Sequence, residues 1–230
     1  MEEKRIINPL EARPEADYLE LERLSIKLGI PVPQVHLTVE VRKDGKLISS
    51  TRQRSRTWNR NFWNYILCQL TSAPGVATDF GAGYLSIKRT TGAVGAIAGT
   101  LFNFNCAGLI NNSTYGIQVG IGTGAESFEG YVLGTLCAHG SGANQLVYSA
   151  HSVLVQSYDA PSKTWTITIK RIFNNNSAAD IVIAETALVF NMPNQGTQCM
   201  LNRDLLGATQ TVAIGAQLTV SYGVTLTFPA

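Results

Sequence analysis

A run of arginines and aromatic rings is the first stretch of this sequence whose residue types could carry a function. Residues 51–70 read TRQRSRTWNRNFWNYILCQL. Basic residues interleaved with aromatics are typical of nucleic-acid-binding segments, because guanidinium groups contact phosphates and rings stack on bases. The same composition also fits a charged strand that leads into a helix anchored by its rings. The arginines concerned are Arg52, Arg54, Arg56 and Arg60.

The periodicity around this stretch favours the second interpretation. VHLTVEV alternates apolar and polar residues, KDGK supplies a tight turn, and KLISSTRQRSR returns, so we predict a hairpin over residues 35–56. On the return strand Arg52, Arg54 and Arg56 would share one face.

The aromatic half of the stretch predicts a helix over residues 58–70, with Thr57 as its cap. At 100° per residue, Trp58, Phe62 and Tyr65 lie on one broad apolar face, and Arg60 falls outside it. The rings are therefore expected to face a core and not to stack on bases.

A glycine-rich segment is the strongest candidate for a cofactor site. VGIGTGA contains Gly120, Gly122 and Ala125 in the spacing G-x-G-x-x-A. That fingerprint binds a dinucleotide because its glycines let a helix N-terminus approach a pyrophosphate. Here the continuation ESFEGYVLG predicts another strand over 131–137, and no βαβ unit surrounds it. We expect no cofactor.

Catalytic and metal-binding patterns are weak. The chain has no G-x-S-x-G elbow, and its four cysteines form no CxxC pair. Of three histidines, His36 and His151 lie in predicted strands and only His139 lies in a loop. Glu126 and Glu129 stay open as members of carboxylate pairs with other acids that approach them in space. We expect a non-enzymatic protein without a catalytic residue or a metal.

The charge distribution divides the chain. The first 60 residues hold 12 basic and 9 acidic residues, whereas the remaining 170 hold 6 and 7. Such a charge-poor body is expected to have much of its surface covered by neighbours. We predict an N-terminal arm over residues 1–30 and a single domain over 31–230. Within the arm, either a helix from Pro14 to Leu28 or a strand fits the pattern.

Beyond residue 70 the pattern indicates β-structure. Short alternating or apolar runs are separated by turns such as NNST, HGSGAN and PNQGT. We therefore predict an all-β fold, a β-sandwich or jelly-roll-like body with one short helix near 58–70. No apolar run is long enough for a membrane span, so no membrane partner is expected.

The order of several segments resembles poorly characterised structural proteins of tailed bacteriophage virions. The likeness rests on TWTITIKRIFNNNSAADIVIAETALVF, then MLNRDLL, then TVAIGAQLTVSYGVTLTF, with VGIGTGAES and SRTWNRNFWNYI upstream. It runs from about Val35 to Phe228 and brings no active-site residue.

The resemblance implies a virion structural protein, whether of capsid, decoration, neck or tail, that is made in the host cytoplasm. It would act as a homo-oligomer and contact other virion proteins. Under that reading the arginine row pairs with acids of an arm or of an adjacent subunit. Contact with packaged DNA and a merely solvated strand face are the alternatives.

A carbohydrate- or receptor-binding β-sandwich is the alternative function. Exposed aromatic rings would then stack on sugars, although aromatic residues are common in β-strands for structural reasons alone. The candidate rings are Tyr115, Tyr148, Tyr158 and Trp165.

Overall fold

The computed structural model has the all-β, sandwich-like fold that the sequence predicts, with antiparallel sheets and two helices among the residues described. The structure describes residues 9–71, 86–96, 106–152, 155–192 and 197–228. The segment AIAGTLFNF (96–104), whose pattern also predicts a strand, lies almost wholly outside these ranges.

The two helices are α1 (Pro9–Leu28) and α2 (Arg60–Thr71). The strands follow in chain order: β1 (Gln34–Lys43), β2 (Lys46–Arg54), β3 (Ser86–Lys88), β4 (Val94–Ala96), β5 (Gly116–Gly120), β6 (Val147–Tyr148), β7 (Val155–Asp159), β8 (Thr164–Asn174), β9 (Ile181–Met192), β10 (Thr197–Val212) and β11 (Gln217–Thr227).

Two main sheets carry the fold. The larger has the order β2-β1-β11-β8-β6, with β7 paired to β8, and the smaller has the order β10-β9-β5. Alternation in β1 and β11 turns one face of the larger sheet inward, so that its apolar side chains join those of the smaller sheet in one core. That core includes Leu37, Val39, Leu188, Phe190, Leu218 and Val220.

The helix predicted near residues 58–70 is present, although its cap differs from the prediction. The side-chain oxygen of Asn59, not of Thr57, accepts a hydrogen bond from the Phe62 N–H at 3.4 Å. Trp58 instead forms a β-bridge to Asn202 before the helix begins. The Tyr65 ring is buried against Phe190, with ring centroids 5.3 Å apart.

Two asparagines on α2, Asn61 and Asn64, are buried. The side-chain amide of Asn61 donates to the carbonyls of Lys88 and Met200, and its oxygen accepts from the Lys88 N–H. The Asn64 amide donates to the Ser86 carbonyl at 2.7 Å. These hydrogen bonds tie α2 to β3 and β10, and they satisfy polar groups whose burial would otherwise be costly.

A fully buried arginine organises the loop before β5. The guanidinium of Arg171 donates hydrogen bonds of 2.6–3.0 Å to main-chain carbonyls and lies 4.7 Å from the centre of the Tyr148 ring. Its burial lowers its pKa to about 10. The carbonyls are those of Leu109, Asn112, Tyr115, Ile117 and Ser149.

The N-terminal region is helical and not a strand. Helix α1 begins at Pro9, five residues before the start that Pro14 suggested, and ends at Leu28. Proline is well tolerated at a first helical position, where its missing N–H would be unpaired anyway. Gly29 follows with a positive φ of 69°, which closes the helix at the predicted place.

The chain divides into two compact units. Unit 1 comprises residues 1–34, 155–167 and 224–230, and unit 2 comprises 35–154 and 168–223. The buried core lies in unit 2, whereas no side chain described in unit 1 is buried. The predicted division into an arm and one domain from residue 31 stays a prediction.

Candidate interaction surface

The glycine-rich segment of the dinucleotide-like fingerprint wraps around a buried carboxylate. Glu185, on β9, is fully buried. Its Oε1 accepts hydrogen bonds from the N–H groups of Gly122 at 3.0 Å and Thr135 at 2.8 Å, and its Oε2 from that of Gly134 at 3.1 Å. The guanidinium of Arg203, on β10, completes the site with an ion pair of 2.6 Å to Oε2.

The glycines of that fingerprint serve this carboxylate. A Cβ on Gly120 would lie 2.6 Å from the Glu185 Oε1, and one on Gly122 would collide with the same atom. Only glycine therefore lets the loop main chain approach so closely. The spacing that suggests a pyrophosphate site is explained by an internal anion.

The strand predicted over residues 131–137 is wrong for the same reason. The N–H groups of Gly134 and Thr135 point at Glu185 instead of a neighbouring strand, and the segment keeps only a single bridge between Leu136 and Gly120. It covers the small sheet as a loop, and Leu133 packs against Val189 and its neighbours.

Two of the three histidines serve as hydrogen-bond acceptors for the main chain. The Nε2 of His151 accepts from the Ile117 N–H at 3.0 Å, and burial lowers its pKa to about 3. The Nδ1 of His139 accepts from the Tyr148 N–H at 3.3 Å. The loop histidine that looked most like a site residue thus holds a turn in place.

Glu126 and Glu129 are each engaged separately. The Oε1 of Glu126 accepts from the Leu205 N–H at 2.7 Å, whereas Glu129 forms an ion pair with Arg60. Within the described ranges, no three side chains of His, Cys, Asp or Glu lie where they could hold a metal ion together.

A second buried carboxylate, Asp204, is a feature that the sequence did not single out. It accepts hydrogen bonds from the Ser55 hydroxyl at 2.7 Å, the Arg56 N–H at 2.9 Å and the Asn202 amide at 2.8 Å. Desolvation nevertheless raises its pKa to about 6. This network ties the end of β2 to β10.

The outer face of the larger sheet carries a polar trough of about 550 Å³. Strand β11 forms its floor with Gln217, Thr219 and Ser221, and the flanking strands β1 and β8 form its walls. The side chains alternate cleanly, since their neighbours along each strand point into the core. The wall residues are Thr38, Glu40 and Arg42 on β1 and Lys170 and Ile172 on β8.

Two of the four predicted arginines lie beside this trough. In the β1–β2 register, Arg52 is opposite Thr38 and Arg54 is opposite His36, so both lie on the outer face. Together with Arg42 and Lys170 they outnumber the one carboxylate in the trough, that of Glu40. We call this surface, formed by the trough and the two arginines, the basic face.

The other two arginines do not join the basic face. Arg56 follows the end of β2, where its N–H binds Asp204. Arg60 begins α2, pairs with Glu129 and lies 5.6 Å from the centre of the Phe128 ring. The predicted row of arginines is therefore split between the sheet and the helix, and its role as a contact surface stays a prediction.

The candidate sugar-stacking rings divide into two pairs. Tyr115 and Tyr148 are buried and cannot contact a ligand, which corrects that part of the alternative. Tyr158 and Trp165 are exposed by 50% and 37%, and their ring centroids lie 6.0 Å apart. Both exposed rings belong to unit 1.

Comparison of the chain with protein-family models, curated proteins and solved structures finds no match. Among the helices described, neither has the length and apolar character needed to cross a membrane.

The glycine loop yields a prediction with a matched control. Gly122→Ala should lower the free energy of unfolding by about 1–3 kcal/mol, because its methyl group would displace the Glu185 carboxylate. Gly124→Ala, two residues away, meets nothing within 4 Å and should be neutral or slightly stabilising. Chemical denaturation measures both, and equal effects would contradict the role given to Glu185.

The raised pKa of Asp204 predicts a pH dependence of stability. Because the folded pKa of about 6 exceeds the ordinary value of 3.8, stability from this group is lost as pH rises through that window. The change amounts to about 3 kcal/mol at about 1.4 kcal/mol per pKa unit. His151 acts in the opposite direction, since its lowered pKa removes stability as pH falls from 6.5 towards 3.

The two effects partly cancel in the unmodified protein, so a difference measurement is needed. We expect the unfolding free energy of the unmodified protein minus that of Asp204→Asn to fall between about pH 4 and pH 6. Urea denaturation across that range measures it. A difference that stays constant with pH would contradict the assignment to Asp204.

The basic face also predicts the salt dependence of any binding to duplex DNA. Four bases in contact with phosphates give a slope of log K against log salt of about −3.6, at about −0.9 per phosphate. The double variant Arg52→Ser with Arg54→Ser should halve it to about −1.8. Fluorescence anisotropy across a salt series measures both slopes, and an unchanged slope would place the contact elsewhere.

Proposed function

We propose that this chain is a structural subunit of a tailed-phage virion that acts by self-association and by contacts with other virion proteins, and not as an enzyme. The resemblance of residues 35–228 to such proteins supplies the biological setting. The observation that carries the self-association is the exposure of apolar side chains throughout unit 1.

Unit 1 has apolar residues but no buried side chain among those described. On α1 and just after it, Leu19, Ile26 and Ile30 are 55%, 72% and 56% exposed. On its strands, Val155 and Tyr158 are 64% and 50% exposed. Helices in proteins take most of their stability from packing of their apolar side chains. Contact with another protein would supply that packing.

Unit 2, in contrast, has a buried core of its own. Its core is dense, and its buried charged groups have internal partners: Glu185 pairs with Arg203, and Arg171 binds main-chain carbonyls. The chain after residue 60 is also poor in charge for a protein that is free in solution. A unit 2 with its own core and a unit 1 with exposed apolar side chains together fit a subunit whose surface is covered by its neighbours.

The first experiment is sedimentation velocity on the purified chain, with the 260 to 280 nm absorbance ratio read across each boundary before and after nuclease. We expect concentration-dependent, discrete assemblies with a protein-like ratio. A monomer at every concentration would contradict self-association, and nuclease-sensitive assemblies would favour the contact with DNA.

Paired substitutions test the part that unit 1 plays. Ile26→Ser removes an apolar side chain worth about 1–2 kcal/mol when buried, so it should weaken association about five- to thirtyfold. Ile214→Ser makes the same change at a site in unit 2 that is 49% exposed, and it should leave association unchanged. Equal effects, or none, would remove unit 1 from the interface.

A carbohydrate-binding function is the second candidate, favoured by one observation. Tyr158 and Trp165 present adjacent exposed rings on β7 and β8, with an interplanar angle of 36°. Exposed rings of this kind can stack on the apolar face of a sugar. A lectin would remain a small oligomer and rise in melting temperature with a glycan, and Trp165→Ala would abolish that rise.

A further inference from the structure

We propose that the trough on the basic face receives helix α1 of a second copy of this chain. This inference rests on the proposed self-association and names the two surfaces that would meet.

The trough has the width of an α-helix. Its walls, β1 and β8, are separated by the single strand β11, which places them about 10 Å apart at about 4.8 Å per strand. A helix with its side chains is about 10–12 Å across. The floor carries the short hydroxyl side chains of Thr219 and Ser221, whereas the walls carry the longer Arg42 and Lys170. A helix laid along the strand direction would therefore lie over the floor and contact the longer side chains of both walls.

Helix α1 presents a mixed acidic and apolar stripe that matches these walls. Glu15, Leu19, Glu22 and Ile26 follow one another at intervals of four, three and four residues, which places them along one side of the helix. Among the large apolar side chains described on α1, those of Ile26, Leu28 and Leu19 are the most exposed.

The charges of the two surfaces are complementary. Among the described side chains, α1 carries four carboxylates and two bases, the bases being Arg23 and Lys27. The basic face carries Arg42, Lys170 and the two neighbouring arginines against one carboxylate, Glu40, whose oxygen lies 3.2 Å from Arg42. Complementary potentials of this kind align a complex and raise its rate of association.

The trough fits a protein segment better than it fits a nucleic acid. Glu40 in one wall would repel a phosphate group and an acidic side chain alike, so it does not distinguish the two occupants. Ile172 lies in the opposite wall and offers an apolar contact for Leu19 or Ile26, which a phosphate backbone would not use. An acidic helix with apolar side chains therefore uses more of the lining than DNA would.

A charge exchange between the two surfaces tests the inference. Lys170→Glu reverses a charge in the trough, and Glu22→Lys reverses one on α1. Each variant alone should associate at least about tenfold more weakly than the unmodified chain, because the contact then brings like charges together. An equimolar mixture should associate again, since each helix then meets a trough of opposite charge. The chain with both substitutions should also recover.

Lys46→Glu serves as the matched control, because it makes the same change at an exposed lysine that begins β2 and does not line the trough. Sedimentation velocity over a concentration series gives the dissociation constant of every variant, and Lys46→Glu should leave it unchanged. Thermal melting shows that each variant is folded. Recovery by exchange cannot arise from misfolding, because misfolded chains would not restore one another.

The outcomes separate this inference from the proposed function. Association that Ile26→Ser weakens but Lys170→Glu does not would overturn the trough as the receiving surface and keep self-association. An unmodified chain that never associates would overturn both. Charge exchange that changes only the melting temperature of a monomer would place α1 in the trough of its own chain. Assemblies lost on nuclease treatment would indicate that DNA binds in the trough. Either this result or the change confined to a monomer would overturn the inference.

Discussion

The loop that covers the smaller sheet depends on one buried anion, the carboxylate of Glu185. On the outer face of β9 this carboxylate accepts hydrogen bonds from three main-chain N–H groups and pairs with the Arg203 guanidinium. It thus supplies the acceptor that a neighbouring strand would otherwise give to the N–H groups. The buried guanidinium of Arg171 plays the opposite role, because it donates hydrogen bonds to main-chain carbonyls, among them those of Tyr115 and Leu109. Irregular loops can be buried in this body because internal charges satisfy their main chain.

This internal use of charge satisfies buried polar groups of unit 2 from within the unit. Unit 1 is its opposite, with carboxylates and exposed apolar side chains on α1 but no core among its described residues. A protein in which one unit has a core and the other exposes its apolar side chains is suited to assembly. We propose that a neighbouring copy supplies the packing that unit 1 lacks. The basic face of unit 2 is the surface whose shape and charge suit that contact.

The sequence predicted the sheets and the second helix because alternation and helical periodicity are local properties. The same alternation along VHLTVEV and QLTVSYG could have located the trough, since it assigns Thr38, Glu40 and Thr219 to one face. The roles of Glu185, Asp204 and the fingerprint glycines could not be predicted. They arise from contacts between residues about 50 to 150 positions apart, such as Thr135 with Glu185 and Ser55 with Asp204.

We propose that unit 1 acquires its stability from another copy of the chain. Amide hydrogen exchange at low and high protein concentration tests this most directly. We expect residues 15–28 to exchange rapidly in the dilute monomer and to become protected as the concentration rises, while β9 and β10 stay protected throughout. Strong protection of residues 15–28 in the monomer would contradict the claim, because α1 would then be stable without a partner.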